Sequence, residues 1–140
     1  MTSIAHITSD TKQTPSSKLP GEAYSERIRA RFWLSDDSGS YVGIGRITLL
    51  EEIQKTGSIN QAAKAMNMSY KKAWKLVDEM NQLLNQPLVI KAQGGKSGGG
   101  TILTQEGLWV LEQFRAIEQR LQKFLQHESC QFAQELNSLK

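Results

Sequence analysis

The sequence has 140 residues, 39% of them hydrophobic and 22% charged, with a net charge of +3. That length suits one domain with its own core and excludes two ordinary ones. No apolar run nears the roughly 18–20 residues of a membrane span, Cys130 stands alone and excludes an internal disulfide framework, and no apolar signal-peptide core opens the chain, so the cytoplasm is the expected location.

Residues 1–24 are rich in Ser, Thr, Pro and Lys without an apolar period, the composition of a flexible tail. Ile28, Ala30, Phe32 and Leu34 then alternate with Arg27, Arg29, Arg31 and Trp33, which predicts a half-buried strand. The Ser- and Asp-rich stretch 35–40 predicts a turn, and Tyr41 with Val42 a short return strand. Ile47, Leu50 and Ile53 stripe a first helix over 46–55, and Gly57 stands where a left-handed cap closes it. Ser58, with Gln61 three positions later, makes a capping box for a short second helix over 59–66 that turns Ile59, Ala62, Ala63 and Met66 inward.

Asn67 and Met68 form the next turn. Ser69 caps a third helix from Tyr70 to about Leu84, with Ala73, Trp74, Val77, Met80 and Leu84 as its inner stripe and Pro87 marking its end. Leu88, Val89 and Ile90 read as a strand, 94–100 as a glycine-rich loop and 101–103 as the return strand, so the loop is the tip of a hairpin. Thr104 caps a long final helix. On it Val110, Phe114, Ile117, Leu121 and Phe124 recur at heptad-like spacings, and Leu111, Leu125, Phe132 and Leu136 widen the stripe. That much apolar surface needs a partner: packing back on the domain would bury part of it and a second subunit the rest, with Val110, Phe114, Ile117, Leu121 and Phe124 as the dimerisation set.

The fold class expected is mainly α with a small β wing: a winged helix-turn-helix over 25–104 and a C-terminal dimerisation helix over 105–140. In such an arrangement the later helix enters the major groove and its N-terminal residues reach the base edges. Between Lys55 and Gly100, seven lysines stand against two acids, Asp78 and Glu79, so positive charge concentrates where a phosphate surface would need it. Lys71, Lys72 and Lys75 lie off the apolar stripe and point outward. Ser69 and Tyr70 sit at the helix N-terminus, where free amides favour a phosphate. Ser58, Asn60 and Lys91, together with Lys96 and Ser97 in the glycine loop, complete the candidate DNA-binding set. Trp74, on the apolar stripe, is expected in the core.

Other chemistry lacks its residues. Gly95, Lys96 and Ser97 look like the end of a phosphate-binding loop, but Ile90 stands where that pattern needs its first glycine. Gly43 and Gly45 suggest a dinucleotide fingerprint, yet Thr48 replaces its last glycine. His6, His127 and Cys130 compose neither a catalytic set nor a metal site, so an enzyme is not expected and no metal is assigned.

The segments Gly57-Ser-Ile-Asn-Gln-Ala-Ala63, Met68-Ser-Tyr-Lys-Lys-Ala-Trp74, Glu79-Met-Asn81 and Gly94-Gly-Lys-Ser-Gly-Gly-Gly100, followed by Leu103-Thr104, closely resemble the N-terminal DNA-binding domain of ModE-type molybdate-dependent transcriptional regulators, and more distantly the LysR-type winged helix. The resemblance covers about residues 27–125. It implies a sequence-specific transcription regulator that binds double-stranded DNA as a homodimer, with the later helix of each subunit in a major groove and the wing beside it. It also implies that the first strand and the terminal helices help build the dimer, and it suggests a link to molybdate or tungstate metabolism. Full-length members of that family carry C-terminal domains that sense molybdate. Here the last residues, to Lys140, read as helix, so the expectation is a stand-alone DNA-binding version without a cofactor. Two alternatives stay open: a winged helix that docks a protein partner, and a small oxyanion-responsive sensor that binds molybdate through its glycine loop.

Overall fold

The computed structural model describes residues 19–92 and 100–140. Residues 1–18 lie outside the described part, as does the loop 93–99 with Lys96 and Ser97. The chain divides into two compact units, Phe32–Ile117 and Met1–Arg31 with Glu118–Lys140.

Within Phe32–Ile117, strand β1 (Leu34–Ser35) pairs antiparallel with β2 (Tyr41–Val42), Leu34 facing Val42. The turn between them is held by Asp36, whose carboxylate accepts the hydroxyl of Ser38 and the amides of Ser38 and Ser40 at 2.8–3.1 Å. The hydroxyl of Ser38 is the main cause that holds the Asp36 carboxyl below its ordinary pKa.

Helix α1 (Ile44–Thr56) buries Ile47, Leu49, Leu50 and Ile53 completely. Each such side chain removed from water contributes about 1.5–3 kcal/mol before entropy is counted. Gly57 ends the helix at φ 70°, with its N–H returned to the carbonyl of Ile53. Helix α2 (Ile59–Ala65) starts on Ser58, whose hydroxyl accepts the N–H of Gln61 at 3.1 Å. The other half of the expected capping box is replaced: the N–H of Ser58 goes to the Thr56 hydroxyl at 3.2 Å. Asn67 makes the turn at φ 59°, a conformation asparagine tolerates better than most residues. Helix α3 (Tyr70–Met80) starts on Ser69, whose hydroxyl accepts the N–H of Lys72 at 3.0 Å. A hairpin of β3 (Val89–Lys91) and β4 (Thr101–Leu103) follows, with Val89 opposite Leu103 and Lys91 opposite Thr101. Helix α4 (Gln105–Leu139) begins at Thr104, whose hydroxyl accepts the N–H of Gly107 at 3.0 Å. Two helices joined by a tight turn and followed by a hairpin make this a winged helix-turn-helix, the expected fold class.

Four sequence expectations are corrected. The strand expected over 27–34 is not continuous: Ala30 makes one isolated bridge and Leu34 pairs within β1, although the alternation of half-buried and exposed side chains from Ala30 to Leu34 holds. Helix α3 stops at Met80 instead of running to Leu84: the next backbone bonds tighten to Gln82–Glu79 and Leu83–Met80, and the Asn81 side chain turns to the backbone of Leu88 and Val89. Trp74 is half-buried at the edge of the core, not within it. Val110 and Phe114, expected at a dimer seam, are sealed in the core of Phe32–Ile117, where Phe114 stacks on Phe32.

In the other unit, Glu22 and Ala30 exchange backbone hydrogen bonds of 2.8 and 3.0 Å. Buried Tyr24 donates its hydroxyl to Glu118 at 2.8 Å, and the N–H of Arg27 donates to the Ser129 hydroxyl at 2.9 Å. The last residues of the segment read as a tail are therefore packed, despite its composition. Along this part of α4, Leu125 and Ser129 are buried, while Phe124 and Phe132 stand 60% and 50% exposed.

Candidate nucleic-acid interface

Helix α3 sorts its residues by the 3.6 period. Ala73, Val77 and Met80 are buried, and Lys71, Lys72 and Lys75 are exposed on the opposite side. Among the described residues, no carboxylate lies within 4.0 Å of any of these three ammonium groups. One acid of the helix is already engaged: Glu79 accepts from Arg46 of α1 at 2.7 Å, and the same guanidinium lies 4.9 Å from the centroid of the Tyr41 ring. The ion pair is partly exposed and contributes at most about 1 kcal/mol. Its larger effect here is to leave Asp78 as the one acid of α3 without such a partner among the described residues.

Tyr70 and Trp74 occupy the edge of α3 next to the hairpin. Tyr70 is 52% exposed and meets Trp74 edge-on, with ring centroids 6.4 Å apart. The ammonium of Lys91, on β3, lies 5.5 Å from the centroid of the Trp74 ring. At that distance an ammonium over an indole gains on the order of 0.5–1 kcal/mol at an exposed site. Tyr70, Trp74 and Lys91 thus form a row that crosses from helix to hairpin. They line a cleft of about 310 Å³ together with Gly57, Ser58, Asn60, Ala92 and Gly100.

The hairpin is tied down where its strands enter the loop. The N–H of Thr101 donates to the carbonyl of Gly57 at 3.0 Å, and the N–H of Ala92 to that of Gly100 at 2.8 Å. A Cβ on Gly100 would collide with the Gly57 carbonyl oxygen, so this approach requires glycine.

The site residues named from sequence divide accordingly. Ser58, Asn60, Tyr70 and Lys91 meet around the cleft, and Lys71, Lys72 and Lys75 stand on the exposed face of α3. The hydroxyls of Ser58 and Ser69 already serve as N-caps, so their first task is local. Lys96 and Ser97 lie outside the described residues. Sequence reasoning missed Trp74 as a wall of the cleft and Asn81 as a tie. Trp74 sat on the apolar stripe, and a single asparagine past a helix carries no periodic signal. Among the described residues, no group of three or more His, Cys, Asp or Glu side chains is placed to hold a metal ion, and no helix is long and apolar enough to cross a membrane.

Residues 44–108 match the family model described as bacterial regulatory helix-turn-helix protein, lysR family. Over 99 residues the chain is 46% identical to the molybdenum transport protein ModE of Azotobacter vinelandii, covering 71% of this chain and 37% of that protein. It is 43% identical over 96 residues to the molybdenum-pterin-binding protein MopB of Rhodobacter capsulatus, covering 69% and 36%. It is 45% identical over 94 residues to the DNA-binding transcriptional dual regulator ModE of Escherichia coli K12, covering 67% and 36%. The chain spans little more than a third of the length of these curated relatives.

Proposed function

For a chain whose residues 44–108 carry a LysR-family helix-turn-helix, we propose that it is a transcription regulator that binds double-stranded DNA through α3 and the β3–β4 wing. The observation that carries this reading is the face of Lys71, Lys72 and Lys75, free of carboxylate partners among the described residues and flanked by the Tyr70–Trp74–Lys91 row. Lysines on such a face neutralise phosphates and reach guanine acceptors, and a helix of this kind fits the major groove. A surface built to dock a protein would be poorer in lysine.

Dimerisation is part of the proposal. With Val110 and Phe114 buried in the protomer's own core, the partner surface falls on the later turns of α4, at Leu121, Phe124 and Phe132. Two copies related by a twofold axis would bring two α3 helices to one duplex, about 34 Å apart for half-sites one turn of B-DNA apart. The similarity to proteins named for molybdenum transport, molybdenum-pterin binding and DNA-binding transcriptional regulation supports target genes concerned with molybdenum.

The test is selection of bound sequences from random duplex DNA, followed by affinity measured across a salt series. A palindromic site bound with a steep salt dependence is expected. Retention of no duplex above background at physiological salt would overturn the reading.

A further inference from the structure

The side chain of Asn81 leaves its own helix to serve the hairpin. Its Oδ1 accepts the N–H of Leu88 at 2.8 Å and that of Val89 at 3.2 Å, and its Nδ2 donates to the carbonyl of Val89 at 3.4 Å. An asparagine amide is suited to this, since it offers an acceptor with two lone pairs beside a donor. Leu88 is held on its other side as well, where its carbonyl accepts the N–H of Thr104 at 2.9 Å. On the opposite strand, Thr101 is bonded to the Gly57 carbonyl, and only the missing Cβ of Gly100 permits that approach. One strand of the wing is therefore tied to the end of α3 and the other to the turn between α1 and α2. Neither tie belongs to the sheet ladder or to a helix.

We propose that Asn81 and Gly100 are the positioning residues of the wing. By fixing β3 at the base of the wing and β4 beside its loop, they set the separation between the lysines of α3 and Lys91, so that both reach one duplex at once. A wing freed from these ties would have to be ordered on each encounter with DNA, at a cost in affinity. The proposal rests on the DNA-binding reading above and adds to it which residues set the geometry of contact.

The experiment uses the full chain and a mixed-sequence duplex in a salt series, with Asn81→Ala, Lys91→Ala and the double variant. Amide hydrogen exchange at Leu88 and Val89 is followed without DNA. Asn81→Ala is expected to deprotect both amides and to lower the salt slope by about one unit, the contribution of one neutralised phosphate. Lys91→Ala, costly in the wild-type background, is then nearly silent. Asn81→Asp keeps an acceptor for both amides at neutral pH and is expected to restore protection and slope. Gly100→Ala strikes the tie on the other strand and should also shrink the Lys91→Ala loss. A full-sized loss there overturns the proposal however Asn81→Ala folds. Amides that stay protected in Asn81→Ala, or equal Lys91→Ala losses in both backgrounds, overturn it while leaving DNA binding intact. A wild-type chain that binds no duplex at any salt overturns the DNA reading itself, and the positioning role with it.

Discussion

Phe114 of α4 stacks on Phe32, just ahead of β1, with ring centroids 4.4 Å apart and planes inclined by 12°. Phe114 is completely buried. At Phe114 the long helix is therefore built into the winged-helix core. Phe114→Ala should cost about 3–5 kcal/mol of stability through lost burial and the cavity left behind. Urea unfolding, compared with Phe124→Ala in dilute protein, checks this. Phe124 is 60% exposed and should change the stability of an isolated protomer by less than about 1 kcal/mol. Equal losses for the two variants would mean that Phe124 is packed within the protomer as Phe114 is.

That contrast marks where the fold was legible in the sequence and where it was not. The caps at Ser58, Ser69 and Thr104, and the left-handed Gly57, are decided by bonds within three or four residues, and all four appear where local chemistry puts them. The apolar stripe of α4 is a real feature, but a stripe does not name its partner. Val110 and Phe114 found theirs inside the protomer, while Phe124 and Phe132 remain open. The alternation before β1 is likewise real as a burial pattern. A strand also needs a neighbour, and along this stretch only Ala30, Leu34 and Ser35 have one. The lysine face was visible because outward residues are those off the stripe. The hairpin ties at Asn81 and Gly100 were not, because each depends on a backbone group brought close by the fold.

The cap at Gly57 yields a prediction free of packing effects. Its φ of 70° favours glycine, and a Cβ there would meet nothing within 4 Å. Gly57→Ala should therefore cost roughly 1–2 kcal/mol from backbone conformation alone. Gly57→Asn should cost less, since asparagine tolerates the left-handed region. Thermal unfolding of the two variants checks the order. An alanine variant as stable as wild type would mean that the helix end relaxes into another cap.

The exposed pair on the later part of α4 makes the proposed dimer testable. Phe124→Glu with Phe132→Glu puts charge on two side chains that contribute little to the packing of the protomer. Sedimentation should then report a monomer at concentrations where wild type is a dimer. Affinity for a palindromic site should fall by far more than for a half-site, because the second reading head no longer arrives with the first. A double variant that sediments with wild type would move the interface elsewhere.

The lysines of α3 give the sharpest separation between fold and function. Lys71 and Lys72 are exposed, engage no carboxylate among the described residues and lie opposite the buried stripe, so replacing both with alanine should shift unfolding by less than about 0.5 kcal/mol each. Their removal should nevertheless weaken duplex binding. It should also flatten the dependence of log K on log salt by about one unit for each phosphate that a protomer no longer neutralises. If one of them reads a guanine edge, its removal also narrows the gap between specific and random duplex by about 1–3 kcal/mol, whereas a lysine that only neutralises phosphate supports both alike. Anisotropy titrations of the two single variants and the double, on a selected site and on random DNA, separate these roles. Wild-type affinity in the double variant at physiological salt would remove α3 from the interface.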